Sequence, residues 1–221
     1  MKKQLFDFGW EYTEAAGMMA MAYAQWQPVT LPHDVSITKP RSAAYPTGGG
    51  GGYAWSGVVT YRKRFQVPEE WRGQSIQLEF EGVYMNAEVS LNRQLLALHP
   101  YGYTSFLVDL TPHLKYGDQN ELVVSVNNSA QPNSRWYSGT GIYRHVWLRS
   151  GPADRIQPWG VFVTTPVADP LLSTVQVVTE VAGTSRAVLR STVLDASGAV
   201  AAQVETPVRG GSVRQDLAVR D

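Results

Sequence analysis

The sequence predicts an all-β chain built as two successive β-sandwiches. Three observations carry that expectation. Short runs alternate polar and apolar residues with a period of two, turn-forming clusters separate those runs, and helix signals are few.

In chain order, Glu14 to Tyr23 contains helix formers without an amphipathic stripe. The alternation becomes regular from about Val58. Pro68-Glu69-Glu70-Trp71 predicts a single helical turn with acids near its positive end. Across Ser75 to Glu81, Ile76, Leu78 and Phe80 fall on one face, and Gln77, Glu79 and Glu81 on the other. That pattern predicts a strand with one dry and one wet face, in an outer sheet of an antiparallel sandwich. Ala87, Val89 and Leu91 repeat the alternation and end at the turn-forming Asn92-Arg93. Leu122, Val124 and Val126 repeat it after Gly117-Asp118-Gln119-Asn120. A last strand, His145 to Arg149, is stopped by Gly151-Pro152, by geometry and by a missing donor.

Beyond that point the composition shifts to Val, Thr, Ser and Ala, which divides the chain into residues 1–152 and 153–221. Strands are expected at Trp159–Thr164, Thr174–Val181, Ala187–Leu194, Ala199–Val204 and Val213–Val219, with a hairpin turn at Asp195-Ala196-Ser197-Gly198. Five strands make most of an immunoglobulin-like sandwich, which has about seven. The expectation is therefore a second domain incomplete at its C-terminus.

Lys+Arg and Asp+Glu both number 19, so the chain lacks the basic excess that a nucleic-acid partner requires. Cysteine is absent, which excludes disulfides, thiolate metal sites and cysteine nucleophiles. The longest apolar run, Ala15 to Ala24, is too short for a membrane helix and is broken by Gly17. Asp7 and Glu11 interrupt any signal-peptide core after Lys2-Lys3, so cytoplasm is the default expectation, with secretion left open. Seven Trp and eleven Tyr supply flat apolar faces with polar edges, suited to core packing or to sugar rings.

Gly48 to Gly52 lacks the following Lys-Ser or Lys-Thr of a phosphate loop and reads as a flexible loop. His33, His99, His113 and His145 are scattered, so no metal is expected, and nothing calls for a cofactor. A glycosidase needs two carboxylates roughly 5–9.5 Å apart, yet the acids here are dispersed over strands and turns. The Asn120-Glu121 pair opens a strand and reads as structural, and no G-x-S-x-G elbow occurs. The informative segment is Pro132 to Leu148, a loop with Gly139 and Gly141 that feeds a strand. It carries Arg135, Trp136, Tyr137, Tyr143 and Arg144, either as a cap on the sandwich or as a surface for a sugar or an adjoining domain.

At this segment a family resemblance appears. Ser134-Arg135-Trp136-Tyr137-Ser138-Gly139-Thr140-Gly141-Ile142-Tyr143-Arg144 resembles the block that closes the sugar-binding jelly-roll of family 2 glycoside hydrolases, in their β-galactosidase-like branch. Phe8-Gly9-Trp10, Leu31-Pro32-His33-Asp34-Val35 and Tyr61-Arg62-Lys63-Arg64-Phe65 resemble earlier family motifs in the same order, with Val35 where the family has Trp. Phe80-Glu81-Gly82-Val83, Val89-Ser90-Leu91-Asn92 and Gly102-Tyr103-Thr104-Ser105-Phe106 follow.

The resemblance implies a galactose-binding-like jelly-roll followed by the immunoglobulin-like sandwich. It implies a retaining glycosidase whose two catalytic Glu lie in a C-terminal TIM barrel, so no catalytic residue is expected within this chain. The implied partners are a β-galactoside or related carbohydrate and the chain's own barrel, with a homo-oligomer as a further possibility. Asn127 and Asn128 are the implied sugar contacts, followed by Tyr45, which stands where well-known members have Asn, and by Arg135, Trp136 and Tyr137. The alternative reading is a stand-alone carbohydrate-binding module without hydrolase activity. Asn127-Asn128-Ser129 also forms a glycosylation sequon.

Overall fold

A computed structural model describes residues 1–15, 23–169, 171–183 and 186–220. Most of the Glu14–Tyr23 segment, with its helix-forming composition, lies outside the described residues. Chain contacts divide the protein into two units, Met1–Gly151 and Pro152–Asp221.

Among the described residues, unit 1 contains ten strands: β1 (Lys2–Leu5), β2 (Trp10–Thr13), β3 (Gln27–Val29), β4 (Val58–Gln66), β5 (Ser75–Phe80), β6 (Ala87–Leu91), β7 (Gln94–His99), β8 (Phe106–Asp109), β9 (Gln119–Asn127) and β10 (Val146–Gly151). They form a six-stranded sheet in the order β3-β2-β4-β9-β6-β7 and a four-stranded sheet in the order β1-β10-β5-β8. Inward residues of both sheets share one core, in which Tyr61, Leu78, Phe80, Val89, Leu122, Val124 and Val146 have no exposed surface. The alternation read in β5, β6 and β9 is the alternation of this core. Asn92 and Arg93 both adopt left-handed backbone angles (φ 51° and 70°), the geometry of a tight hairpin between β6 and β7. The expected helical turn is a 3-10 turn at Glu69–Trp71.

One expectation needs correction. The second face of β5 is not wet: every residue of the strand is buried, Gln77 and Glu79 included. The strand lies between β10 and β8, and Lys3 and Arg149 from β1 and β10 reach Glu79. Glu79 thus sits on a face covered by the long stems of its own partners.

Unit 2 contains β11 (Arg155–Val167), β12 (Leu172–Ala182), β13 (Ala187–Leu194), β14 (Val200–Val208) and β15 (Gly211–Arg220). Its sheets have the orders β11-β12-β15 and β13-β14. The five expected strands are present, mostly longer than the alternation indicated. The Asp195 turn forms as expected, with Asp195 Oδ1 accepting from the Ser197 and Ala199 amides and Gly198 at φ 89°. Gln215, 3% exposed, crosses between the sheets: it donates to Leu189 O and Thr206 Oγ1 and accepts from Ser191 Oγ.

Candidate sugar-binding surface

The stretch between β9 and β10 is irregular, so its backbone groups must find partners elsewhere. At its base, His33 N donates to Ile142 O (2.8 Å) and Val35 N to Thr140 O (2.9 Å). Tyr84 and Gly141 exchange amide-to-carbonyl bonds of 3.0 and 3.1 Å. Asp34 ties these contacts together. Its Oδ1 accepts from Ser36 N (2.9 Å) and Thr140 N (2.8 Å), and its Oδ2 accepts from the Tyr137 hydroxyl (2.5 Å). A Cβ on Gly139 would collide with this carboxylate, 2.7 Å from Cγ, so the residue before Thr140 has to be small.

The surface above this clamp is aromatic. Trp136 is 62% exposed, and its Nε1 donates to the Tyr103 hydroxyl (3.2 Å). A recess of about 160 Å³ is lined by Asp34, Tyr84, Tyr103, Tyr137, Ser138 and Tyr143 among others. Burial, reinforced by the hydrogen bond to Asp34 and its charge, raises the Tyr137 phenol well above its ordinary range. Tyr137 is therefore a neutral donor at working pH, and its hydroxyl donates to Asp34 Oδ2. Arg135 is exposed and has no carboxylate partner among the described residues. The glycine run lies alongside: a Cβ on Gly50 would sit 3.5 Å from Ser134 O and 3.8 Å from Arg135 Cα. Expected as a flexible loop, this run forms hydrogen-bonded turns, with Gly48 and Tyr45 paired through their backbone and Tyr53 N donating to Gly48 O.

Asn127 is exposed at the end of β9. Its Oδ1 accepts from Ser129 N (3.0 Å) and Ser129 Oγ (2.7 Å), which leaves its NH2 as the group on offer. Asn128, expected beside it as a sugar contact, is corrected by the structure. It is 1% exposed, donates to Thr140 Oγ1 and Gly139 O, and accepts from Gln131 and Asn133. With every polar atom engaged, it shapes the loop from inside.

The family model described as "Glycosyl hydrolases family 2, sugar binding domain" matches residues 26–152, more than half of the chain. The chain belongs to glycosyl hydrolase family 2. Among curated relatives, it is 46% identical over 169 residues to beta-galactosidase BoGH2A of Bacteroides ovatus, covering 74% of this chain and 20% of that protein. A putative beta-glucuronidase of Formosa agariphila is 35% identical over 160 residues, covering 72% of this chain and 15% of that protein. A family 2 member from Bacteroides cellulosilyticus superposes with a TM-score of 0.80 at 30% identity, over 100% of this chain and 31% of the other. This chain thus spans a fifth or less of the length of those two curated relatives.

Within this family 2 chain, the elements that hold the surface come from three places that the sequence keeps far apart. Asp34 and Tyr137 are separated by 103 residues. Tyr84 and Tyr103 were missed as site residues, and the signal for them was only their membership of an aromatic-rich stretch. Asn120-Glu121 is structural, as read. Asn120 is fully buried and bridges Lys115 O and Asp118 O, while Glu121 pairs with Arg64 at 3.0 Å. No cluster of His, Cys, Asp or Glu among the described residues could hold a metal.

His33 supplies a pH prediction. Its Nδ1 lies 2.9 Å from the Tyr61 hydroxyl, and its ring packs 4.5 Å from Tyr12. Burial lowers its pKa below the ordinary 6.5, with Asp34 and Glu14 offsetting only part of the effect. As pH falls through 6.5, the unfolded chain takes up the proton first, so the stability present above that value is lost as pH approaches the folded pKa. The melting temperature should fall between about pH 7.5 and about pH 5.5, and His33→Gln should flatten that fall. An equal slope in the variant would assign the pH dependence elsewhere.

Proposed function

We propose that this chain is the sugar-binding front of a larger β-glycosidase. Its loops meet the terminal sugar, and bond cleavage belongs to segments outside residues 1–221. The observation that carries this reading is the Asp34-clamped loop, which holds Arg135, Trp136 and Tyr137 together beside the Tyr45 turn. Asn127, at the end of the strand that feeds this loop, adds an exposed amide. Both named curated relatives are glycosidases of which this chain matches one portion. A β-galactoside is the leading substrate, since the beta-galactosidase is the more similar of those two.

Chemistry points the same way. Glycoside cleavage takes two carboxylates, one on each side of the bond. Among the described residues, Asp34 is the one acid lining the recess, and both its oxygens already accept bonds that hold the loop. The purified chain is expected to show no hydrolysis of aryl β-galactosides or aryl β-glucuronides above the blank, while galactose perturbs its tryptophan fluorescence. Turnover by the chain alone would overturn the division of labour.

A further inference from the structure

We infer that Trp136, Tyr103 and Tyr101 form a stacking platform for sugar rings beyond the terminal one, so that the preferred ligand is an oligosaccharide. This rests on the sugar-binding reading above and extends it. Tyr101 and Tyr103 lie between β7 and β8, on a different loop from Trp136. They are 58% and 40% exposed. The Tyr101 and Tyr103 rings meet at 5.6 Å and 63°, and Tyr103 packs on Tyr84 at 5.2 Å and 65°.

The platform is held by hydrogen bonds within and between its two loops. Trp136 Nε1 donates to the Tyr103 hydroxyl, and the Tyr103 ring packs on the Tyr84 ring. Ser138 Oγ lies 3.3 Å from Ser134 Oγ, which donates to Trp136 O at 2.8 Å. The second loop is pinned in turn by Tyr143, whose hydroxyl donates to Gly102 O at 2.8 Å. Both ends of Trp136 are fixed while its ring stays open to solvent, so a ligand meets a preformed surface and little ordering cost.

The chemistry of the patch selects its occupant. A pyranose offers a C–H face to an aromatic ring and hydroxyls to the polar groups around it. Here the adjoining recess carries tyrosine hydroxyls and Ser138. Residues 100–105 and 134–144 contain a single large aliphatic, the fully buried Ile142, so the exposed apolar surface of the patch is aromatic. Three aromatic side chains from two loops also offer more surface than one pyranose covers.

The test is titration of the 221-residue chain with galactose and with the β-linked galactose disaccharide and trisaccharide, followed by calorimetry and tryptophan fluorescence. Affinity is expected to rise about tenfold from monosaccharide to trisaccharide, the worth of one added aromatic contact. Tyr101→Ala should abolish that gain while leaving galactose affinity and the melting temperature unchanged, and Tyr101→Phe should keep the gain. Equal affinity at every length, or a gain that survives Tyr101→Ala, would overturn the platform and leave the terminal-sugar reading standing. Absence of binding to every sugar, galactose included, would overturn both.

Discussion

Replacing Glu79 by alanine is expected to destabilise unit 1 by about 3 kcal/mol. Glu79 sits in the middle of β5 and is 5% exposed. Its carboxylate accepts from Arg149 Nε at 2.6 Å and lies 2.5 Å from Arg149 Nη2 and 3.2 Å from Lys3 Nζ. Arg149 is itself largely covered, and Lys3 also stacks 4.4 Å from the Trp147 ring. Lys3 keeps Glu81 at 3.9 Å, but removing the Glu79 carboxylate leaves the largely covered Arg149 guanidinium without its counter-charge, and that stranded charge is the larger part of the cost. A double variant, Glu79→Leu with Arg149→Met, removes the stranded guanidinium and should recover much of the loss. Six of the seven tryptophans lie in unit 1, so urea unfolding followed by their fluorescence reads this transition. Equal losses in the single and double variants would assign the effect to packing instead of charge.

Gly141→Ala is expected to cost about 3 kcal/mol and to abolish sugar binding in the same variant. Gly141 has φ +146°, a conformation that L side chains rarely adopt. An added Cβ would overlap the Tyr61 hydroxyl and lie 2.5 Å from His33 O. Neither neighbour can yield easily: Tyr61 is wholly buried, and the His33 carbonyl belongs to the segment that clamps the loop. The clash therefore pushes the loop away from Asp34 and breaks the paired bonds between Gly141 and Tyr84. Thermal melting and galactose titration check the two effects independently. A variant that melts early yet still binds would show that the loop holds its shape without this junction.

These two positions differ in how far the sequence announced them. Gly141 falls inside the block whose resemblance to family 2 was legible, and its backbone requirement explains why glycine stands there. Glu79 was legible as a strand residue and misplaced, because alternation distinguishes the two faces of a strand without saying what covers either. The polar face of β5 is buried by side chains from β1 and β10, which meet it only through pairing with strands about 70 residues away in sequence. Asn128 was misplaced for a related reason. An Asn after a strand is equally suited to meet a ligand or to fold inward, and the choice depends on Thr140, Gln131 and Asn133 being there to receive it.

By itself, the sequence determined the all-β class, the change of character after Gly151, the core faces of β5, β6 and β9, and the Asp195 turn. All of these are local patterns, readable because a strand repeats every two residues and a turn is written within four or five. Tertiary structure alone decided that Asp34 reaches across 103 residues to hold Tyr137, and that Tyr103 meets Trp136 from another loop. The same holds for the polar side chains of β5 that are sealed from water. The physical reason is common to all three: each depends on which strands become neighbours, and that is settled by burial of the shared core, not by any segment read alone.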